Sequence, residues 1–320
     1  MESRRLGRTG LQVAPICLGG NVFGWTADEA ASFAVLDAFV EGGGDFIDTA
    51  DSYSRWAPGH AGGESERVLG NWLHERGNRD RVIIATKVGG VMGDGARERG
   101  LSRHWIMASV EGSLRRLRTD YIDLYQAHYD DPVTPPAETM RAFDDLVCAG
   151  KVRYVGASNY SAWRLMGALW ASDRHGYPRY ETLQPVYNLA RRAEYERELE
   201  PLCRERGLGV ITYSSLASGF FSGKYRRGQA LPPTARASGV ERNYMHDRGF
   251  RILDAVEAVA ADHRATPGQV ALAWILARPG ITVPIASATT PEQARELLGA
   301  ADLRLDPAAV AMLDEASTWQ

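Results

Sequence analysis

Cysteine is scarce in this chain. Cys17, Cys148 and Cys203 are odd in number, far apart and without Cys-x-x-Cys spacing, which argues against a disulfide framework or a structural zinc site. A reducing compartment is expected. No apolar run reaches about 18 residues, and the opening Met-Glu-Ser-Arg-Arg-Leu-Gly-Arg leads into no signal-like apolar segment, so a cytoplasmic, soluble protein is expected. Charge of neither sign is in excess: the formal net charge is −3, and the pairs Arg115-Arg116 and Arg226-Arg227 read as solvated surface. Nucleic acid and anionic membrane are therefore not expected as partners. No Gly-x-Gly-x-x-Gly joins a strand to a helix, which argues against a Rossmann fold. His60, His74, His104, His175, His246 and His263 share no metal-like spacing, and no metal is expected.

What is plentiful is apolar sequence broken at short intervals by glycine. With 320 residues, 44% hydrophobic and 33 glycines, the chain can bury a large core and make many tight turns between strands and helices. Short apolar runs predict strands at residues 16–19, 46–48, 82–87, 122–128, 152–158, 182–187, 209–213 and 282–285. Between them, helical spacing is read at 28–41, 64–76, 103–117, 136–149, 162–175, 197–206 and, as a double segment, 249–277. Thr266-Pro267 and Asp306-Pro307 place a capping residue before a proline at the first helical position. Strand alternating with helix eight times predicts one α/β domain, a single (β/α)8 TIM barrel. The Gly-Arg-Thr-Gly turn within residues 4–13 predicts an N-terminal β-hairpin that plugs the barrel floor. Residues 217–248 form the longest stretch without evident structure, and such a loop at a barrel mouth predicts a lid or binding loop.

Polar residues stand where these buried strands end. Asp48 closes Phe-Ile-Asp, Lys87 closes Ala-Thr-Lys, His128 closes Tyr-Gln-Ala-His, and Tyr53 follows Asp48 on the same loop. In a (β/α)8 barrel these ends converge on one mouth. An ammonium beside a phenol stabilises phenolate, so Lys87 is expected to lower the Tyr53 pKa from its usual value of about 10, with Asp48 holding the ammonium charged. His128 would donate a hydrogen bond to a substrate oxygen, leaving a proton donor beside a carbonyl. A different pair, Asp48 and Asp51, would suit a hydrolase, but that reading explains neither Lys87 nor the polar residues further along the chain.

The set Asp48, Tyr53, Lys87 and His128 resembles, in order and in motif, the catalytic tetrad of the aldo-keto reductases. These are (β/α)8 barrels that reduce aldehydes and ketones with NAD(P)H. The run from Gly112 to Leu124, Gly-Ser-Leu-Arg-Arg-Leu-Arg-Thr-Asp-Tyr-Ile-Asp-Leu, is similar to the family's helix-and-strand signature, and the likeness covers nearly the whole chain. The resemblance implies that Ser158, Asn159 and Gln184 hold the nicotinamide carboxamide and that Tyr213 stacks on its ring. It also implies that the run containing Ser214, Leu216, Ser218 and Lys224 covers the pyrophosphate. Gly-Phe-Phe-Ser-Gly-Lys is similar to the longer-looped bacterial and potassium-channel-β-like branch, some of whose members act as cofactor-sensing binding subunits.

The 2′-phosphate site departs from the family pattern. Many members carry lysine and arginine near positions 287 and 293, where this chain has Ser287 and Gln293, and Leu297 stands where asparagine often contacts adenine. Ser287, Thr289 and Gln293 could still hydrogen-bond a phosphate, or Arg295 could reach it, so NADP (as NADPH) is expected ahead of NAD on family habit. Trp25, Trp56, Met92 and Tyr129 are placed to line the mouth for a flat or apolar small-molecule carbonyl substrate, though both tryptophans also read as loop anchors.

Overall fold

The computed structural model describes residues 1–95 and 97–319. The hairpin comes first, β1 (Arg4–Arg5) pairing antiparallel with β2 (Gln12–Val13). Eight parallel strands then close a barrel: β3 (Cys17–Gly19), β4 (Phe46–Asp48), β5 (Ile83–Val88), β6 (Ile122–Ala127), β7 (Val152–Ser158), β8 (Tyr180–Gln184), β9 (Gly209–Thr212) and β10 (Val283–Ala286). The crossovers are helical: α1 (Glu29–Glu41), α2 (Glu64–Arg76), α3 (Arg103–Leu117), α4 (Pro136–Cys148), α5 (Ala162–His175), α6 (Ala193–Glu196) and α7 (Leu199–Arg206). The chain ends through α8 (Ala237–Tyr244), α9 (Asp247–His263), α10 (Pro267–Leu276), α11 (Pro291–Gly299) and α12 (Pro307–Ala316). The expected (β/α)8 barrel with an N-terminal hairpin is what forms.

Strand alternation sorts the barrel interior into two layers. Phe46 and Asp48 face inward on β4, Ala85 and Lys87 on β5, and Leu124 and Gln126 on β6. The lower member of each pair joins Leu6, Val13, Cys17, Ile211, Val283 and Ile285 in an apolar plug. Leu6 and Val13 come from the hairpin, which closes the floor as expected. Because that layer is dry and filled, the polar members of the same strands collect at the carboxyl end. Outward-facing residues such as Ile47, Ile84 and Tyr125 join the separate core packed against the helices.

Several boundaries differ from expectation. β8 ends at Gln184 because Pro185 has no N–H to extend the ladder, and Val186 rejoins only as an isolated bridge to Tyr213. The double helical segment breaks at Arg264, in left-handed conformation with φ 52°, and restarts with the Thr266 and Gln269 capping box. The stretch 217–248 is not structureless: it holds a 3-10 turn at Ala217–Ser222, all of α8 and the first residues of α9. Buried Ala237, Val240 and Tyr244 give α8 the helical spacing that marks it in the sequence. Helix α11 is an addition, opened by Thr290 and Pro291 with the same cap-then-proline signal used at Thr266 and Asp306.

Candidate active site

Four side chains from three neighbouring strand ends meet at the mouth. Lys87 is fully buried, and its Nζ has three acceptors: Asp48 Oδ2 at 2.5 Å, the Tyr53 hydroxyl at 2.8 Å and the Thr49 carbonyl at 2.9 Å. Tyr53 in turn donates to Asp48 Oδ2 at 3.2 Å. The other carboxylate oxygen accepts from Gln126 Nε2 at 3.2 Å and Gln184 Nε2 at 2.9 Å, so every lone-pair direction of Asp48 is engaged. Ser54, with φ 71°, turns the chain directly after Tyr53 and is tied by its hydroxyl to the Phe23 carbonyl. His128 follows β6, its ring 5.9 Å from that of Tyr53, with Ser52 Oγ 3.5 Å from Nδ1.

The protonation of Tyr53 runs opposite to expectation. Burial, followed by the negative charge of Asp48 and its hydrogen bond, pushes the phenol well above its ordinary value. Lys87 does touch the oxygen, but Asp48 lies almost as close, and burial together with the carboxylate's charge outweighs the stabilisation the ammonium offers the phenolate. The phenol therefore keeps its proton throughout the neutral range. Burial and the Lys87 charge hold His128 well below its usual value, leaving a neutral imidazole with one N–H to donate.

Asp51 does not form a carboxylate pair with Asp48. It is buried behind the loop, accepts from Ser109 Oγ at 3.0 Å and does not line the cleft described below. Burial and the charge of Glu66 push its pKa up to about 7, while Glu66 itself is engaged by Arg116 at 2.7 Å and Thr86 at 2.6 Å. The folded protein thus holds a proton on Asp51 that the unfolded chain releases near pH 4. Stability from this group is full below pH 4, falls between pH 4 and about 7, and is constant above. Asp51→Asn mimics the protonated acid and removes that loss. The variant is expected to gain stability over the parent as pH rises from 4 to 7, by on the order of a few kcal/mol at about 1.4 kcal/mol per pKa unit. Thermal melts at pH 5 and pH 8 check this, and an equal difference at both values would show that Asp51 is ionised in the fold.

A cleft of about 800 Å³ opens from Asp48 and Tyr53 and runs between the ends of β9 and β10. Tyr213, Ser214, Leu216, Ser218, Lys224, Ser287, Thr289 and Gln293 all line it. Ser158 and Asn159 lie just inside its wall, since Tyr213 donates to Asn159 Oδ1 at 2.8 Å and Asn159 Nδ2 donates to Ser158 Oγ at 3.1 Å. Gln184 departs from its expected role: its amide nitrogen points into the barrel at Asp48, so only its Oε1 remains for a ligand carboxamide.

The middle of the cleft suits an anion. Ser214, Ala217, Ser218 and Gly219 all have φ between 50° and 93°, which folds the loop tightly; the Ala217 and Gly219 amides are spent on the Ser214 and Leu216 carbonyls, so the positive charge here comes from side chains. Lys224 and Arg236 line the same stretch. The pKa of each is lowered by burial, with no carboxylate among the influences on either, and Arg236 Nη2 is buried without a hydrogen-bond partner among the described residues. Two cations without acidic partners are costly unless an anion joins them. Toward α11 the lining holds no cation and includes the Glu296 carboxylate, which accepts from Thr266 Oγ1 at 2.6 Å; Ser287 Oγ bonds Asn21 Oδ1 at 2.5 Å, and Gln293 Oε1 accepts from the Thr289 amide at 2.8 Å. Arg295 is not part of this lining; it is exposed and 3.8 Å from Glu292.

Arg236, Asn21, Gln269, Glu296 and Gln126 are the site residues that sequence reasoning misses. Gln126 alone carried a signal, two residues before His128 and so on the same face of β6. Above Tyr53 the rim is aromatic. Trp56 lies 5.9 Å from Tyr53 and 5.5 Å from Trp25, both edge-on, and Tyr129 stacks on His128 at 4.4 Å. Trp56 and Tyr129 remain about half exposed, Arg236 stands over the Trp25 ring, and Met92 packs against Gly62 on the outer loop.

Residues 15–318 match the model of the Aldo/keto reductase family. The chain belongs to this family. An uncharacterized oxidoreductase, YrpG, of Bacillus subtilis is 37% identical over 98% of this chain and 95% of its own. A probable voltage-gated potassium channel subunit beta of Arabidopsis thaliana is 32% identical over 95% of this chain and 92% of that protein. Norsolorinic acid reductase B of Aspergillus parasiticus is 35% identical over 86% of this chain and 73% of that protein. As an aldo/keto reductase the chain falls among oxidoreductases acting on carbonyl compounds. No helix among the described residues is long and apolar enough to cross a membrane.

Proposed function

We propose that this aldo/keto reductase reduces a small aldehyde or ketone to the alcohol with NADPH, Tyr53 being the proton donor. The observation that carries the reading is the Tyr53 hydroxyl, held 2.8 Å from the buried Lys87 ammonium at the inner end of a cleft of about 800 Å³. Tyr213 would face the nicotinamide ring, with Ser158, Asn159 and the Gln184 oxygen at its carboxamide. The Ser214, Leu216, Ser218 and Lys224 loop, together with Arg236, would take the pyrophosphate. Ser287, Thr289 and Gln293 would take the 2′-phosphate. When bound, the reduced nicotinamide supplies the hydride.

The chain's own part is the proton and the field. Tyr53 transfers its phenolic hydrogen to the carbonyl oxygen as negative charge develops there, and the phenolate left behind keeps its bond from Lys87. Neutral His128 donates one hydrogen bond to the same oxygen, and Trp25, Trp56 and Tyr129 keep water away while offering flat apolar walls. A planar or apolar carbonyl compound fits that rim. Neither nucleic acid nor membrane has a part in the reaction. The intact Asp48, Lys87 and Tyr53 arrangement favours turnover over a cofactor-sensing binding role; the Arabidopsis relative's name brings a channel-subunit role into view. Tight NADPH binding with no turnover of any carbonyl would reverse that order.

Tryptophan quenching on titration with NADPH and separately with NADH tests the cofactor assignment. Because the far end of the cleft offers no cation, the preference for NADPH is expected to be modest, and Gln293→Arg is expected to tighten NADPH about tenfold without changing NADH. A charge-assisted hydrogen bond contributes about 1.5–3 kcal/mol, and about 1.4 kcal/mol is tenfold. Equal effects on both cofactors would place the 2′-phosphate elsewhere.

A further inference from the structure

Behind the cleft lies a set of contacts that the reaction itself does not use. The Tyr213–Ser214 turn, strained at Ser214 with φ 56°, is propped from the loop that follows β8. Tyr187 donates its backbone N–H to the Tyr213 carbonyl at 3.2 Å, and fully buried Asn188 donates from Nδ2 to the Ser214 carbonyl at 2.9 Å. Asn188 also accepts from the Ala190 and Arg191 amides, which folds residues 188–191 into a turn.

That turn is fastened from outside by two guanidinium groups and the last residues of the chain. Arg248, on α9, donates from Nη1 to the Ala190 carbonyl at 2.9 Å and from Nη2 to the Ser317 carbonyl at 3.0 Å. Its α-helix directly follows α8 and the cleft-lining Arg236. Arg192 donates to Ser317 Oγ at 2.8 Å, Asp314 Oδ1 at 3.1 Å and Glu196 Oε1 at 2.8 Å. Glu196 also receives the Tyr187 hydroxyl at 2.6 Å and Trp319 Nε1 at 2.8 Å. Arg248 has only main-chain carbonyls as acceptors, so its fork sets the spacing of three segments without adding an ion pair.

We propose that Arg248, Arg192 and the C-terminal residues Ser317 and Trp319 form a clamp that positions the Tyr213–Ser214 turn and so sets how long a nicotinamide cofactor stays in the cleft. The clamp acts through Asn188, and these residues touch neither cofactor nor substrate. Its consequence for residence time rests on the cofactor reading above, whereas the positioning of the turn does not.

The experiment compares full-length protein with Arg248→Ala and, should that variant fold poorly, Trp319→Ala. Amide hydrogen exchange of residues 213–222 is measured without cofactor, and NADPH release is followed by stopped-flow fluorescence. Exchange in this segment is expected to rise about tenfold and NADPH release to quicken about tenfold, while single-turnover reduction at saturating NADPH changes less than threefold. Unchanged exchange in a folded variant overturns the clamp whether or not cofactor binds. Faster exchange with unchanged release overturns the control of residence. Faster exchange in a protein that binds neither NADPH nor NADH supports the clamp on the turn and defeats the cofactor reading instead.

Discussion

Tyr53→Phe is expected to lower carbonyl reduction by about 10³-fold while cofactor affinity changes less than about threefold, a loss in the middle of the range for removing a positioned general acid. The substitution takes away one oxygen and leaves the ring packed against Trp56 and His128. Lys87 loses one acceptor but keeps Asp48 and the Thr49 carbonyl, so the buried ion pair survives and the fold should be unaffected. In the parent protein, the phenol is held above its ordinary pKa and His128 below its own, so neither changes protonation near neutrality. The rate of the reductive step should accordingly be flat from about pH 7 to 9. Stopped-flow single turnovers measure both quantities. Turnover within tenfold of the parent would remove Tyr53 from the role of acid, and a fall in rate near pH 8 would mean that the phenol ionises more easily than its burial allows.

Lys87→Met is expected to cost both activity and stability. It leaves the Asp48 carboxyl fully enclosed and without its cation, with only the two glutamines and Tyr53 as donors. Breaking one side of a buried ion pair costs about 3–5 kcal/mol, because the remaining charge has lost both water and partner. Turnover should fall at least as far as in Tyr53→Phe, since the phenolate formed by proton transfer has no cation beside it. The double variant Lys87→Met with Asp48→Asn separates the two effects. Neutralising Asp48 should restore most of the lost stability in urea unfolding without restoring turnover. A double variant as unstable as the single one would show that Lys87 stabilises by packing and not by charge.

The corner that joins Asp48, Tyr53, Lys87 and His128 was legible because strand periodicity and burial point the same way there. An apolar residue at 46, 85 or 124 and a polar one two positions later can only mean a dry floor below and a polar mouth above once the strands close a barrel. The direction of the Tyr53 shift was not legible, because only the assembled site shows the Asp48 carboxylate almost as close to the hydroxyl as the Lys87 ammonium is. Ser158, Asn159, Tyr213 and the loop after it came from resemblance, since nothing in their spacing announces a ligand. Arg236 lay beyond both routes: it sits in Thr-Ala-Arg-Ala-Ser, with no periodic pattern of its own. It reaches the cleft only because the chain between the 3-10 turn and α8 folds back over the barrel mouth. Asn21, Gln269 and Glu296 come together from three distant elements, and only the assembled barrel shows it.

Whether hydride passes from the cleft to a carbonyl carbon beside Tyr53 is read from isotope transfer. The protein would be mixed with NADPH carrying deuterium at the transferable position and with a planar aromatic aldehyde, and the alcohol examined by mass spectrometry and NMR. One deuterium is expected on the former carbonyl carbon, placed there by the parent protein and scarcely at all by Tyr53→Phe. Saturated binding of NADPH or NADH with no deuterium reaching any of a panel of aldehydes and ketones would contradict it.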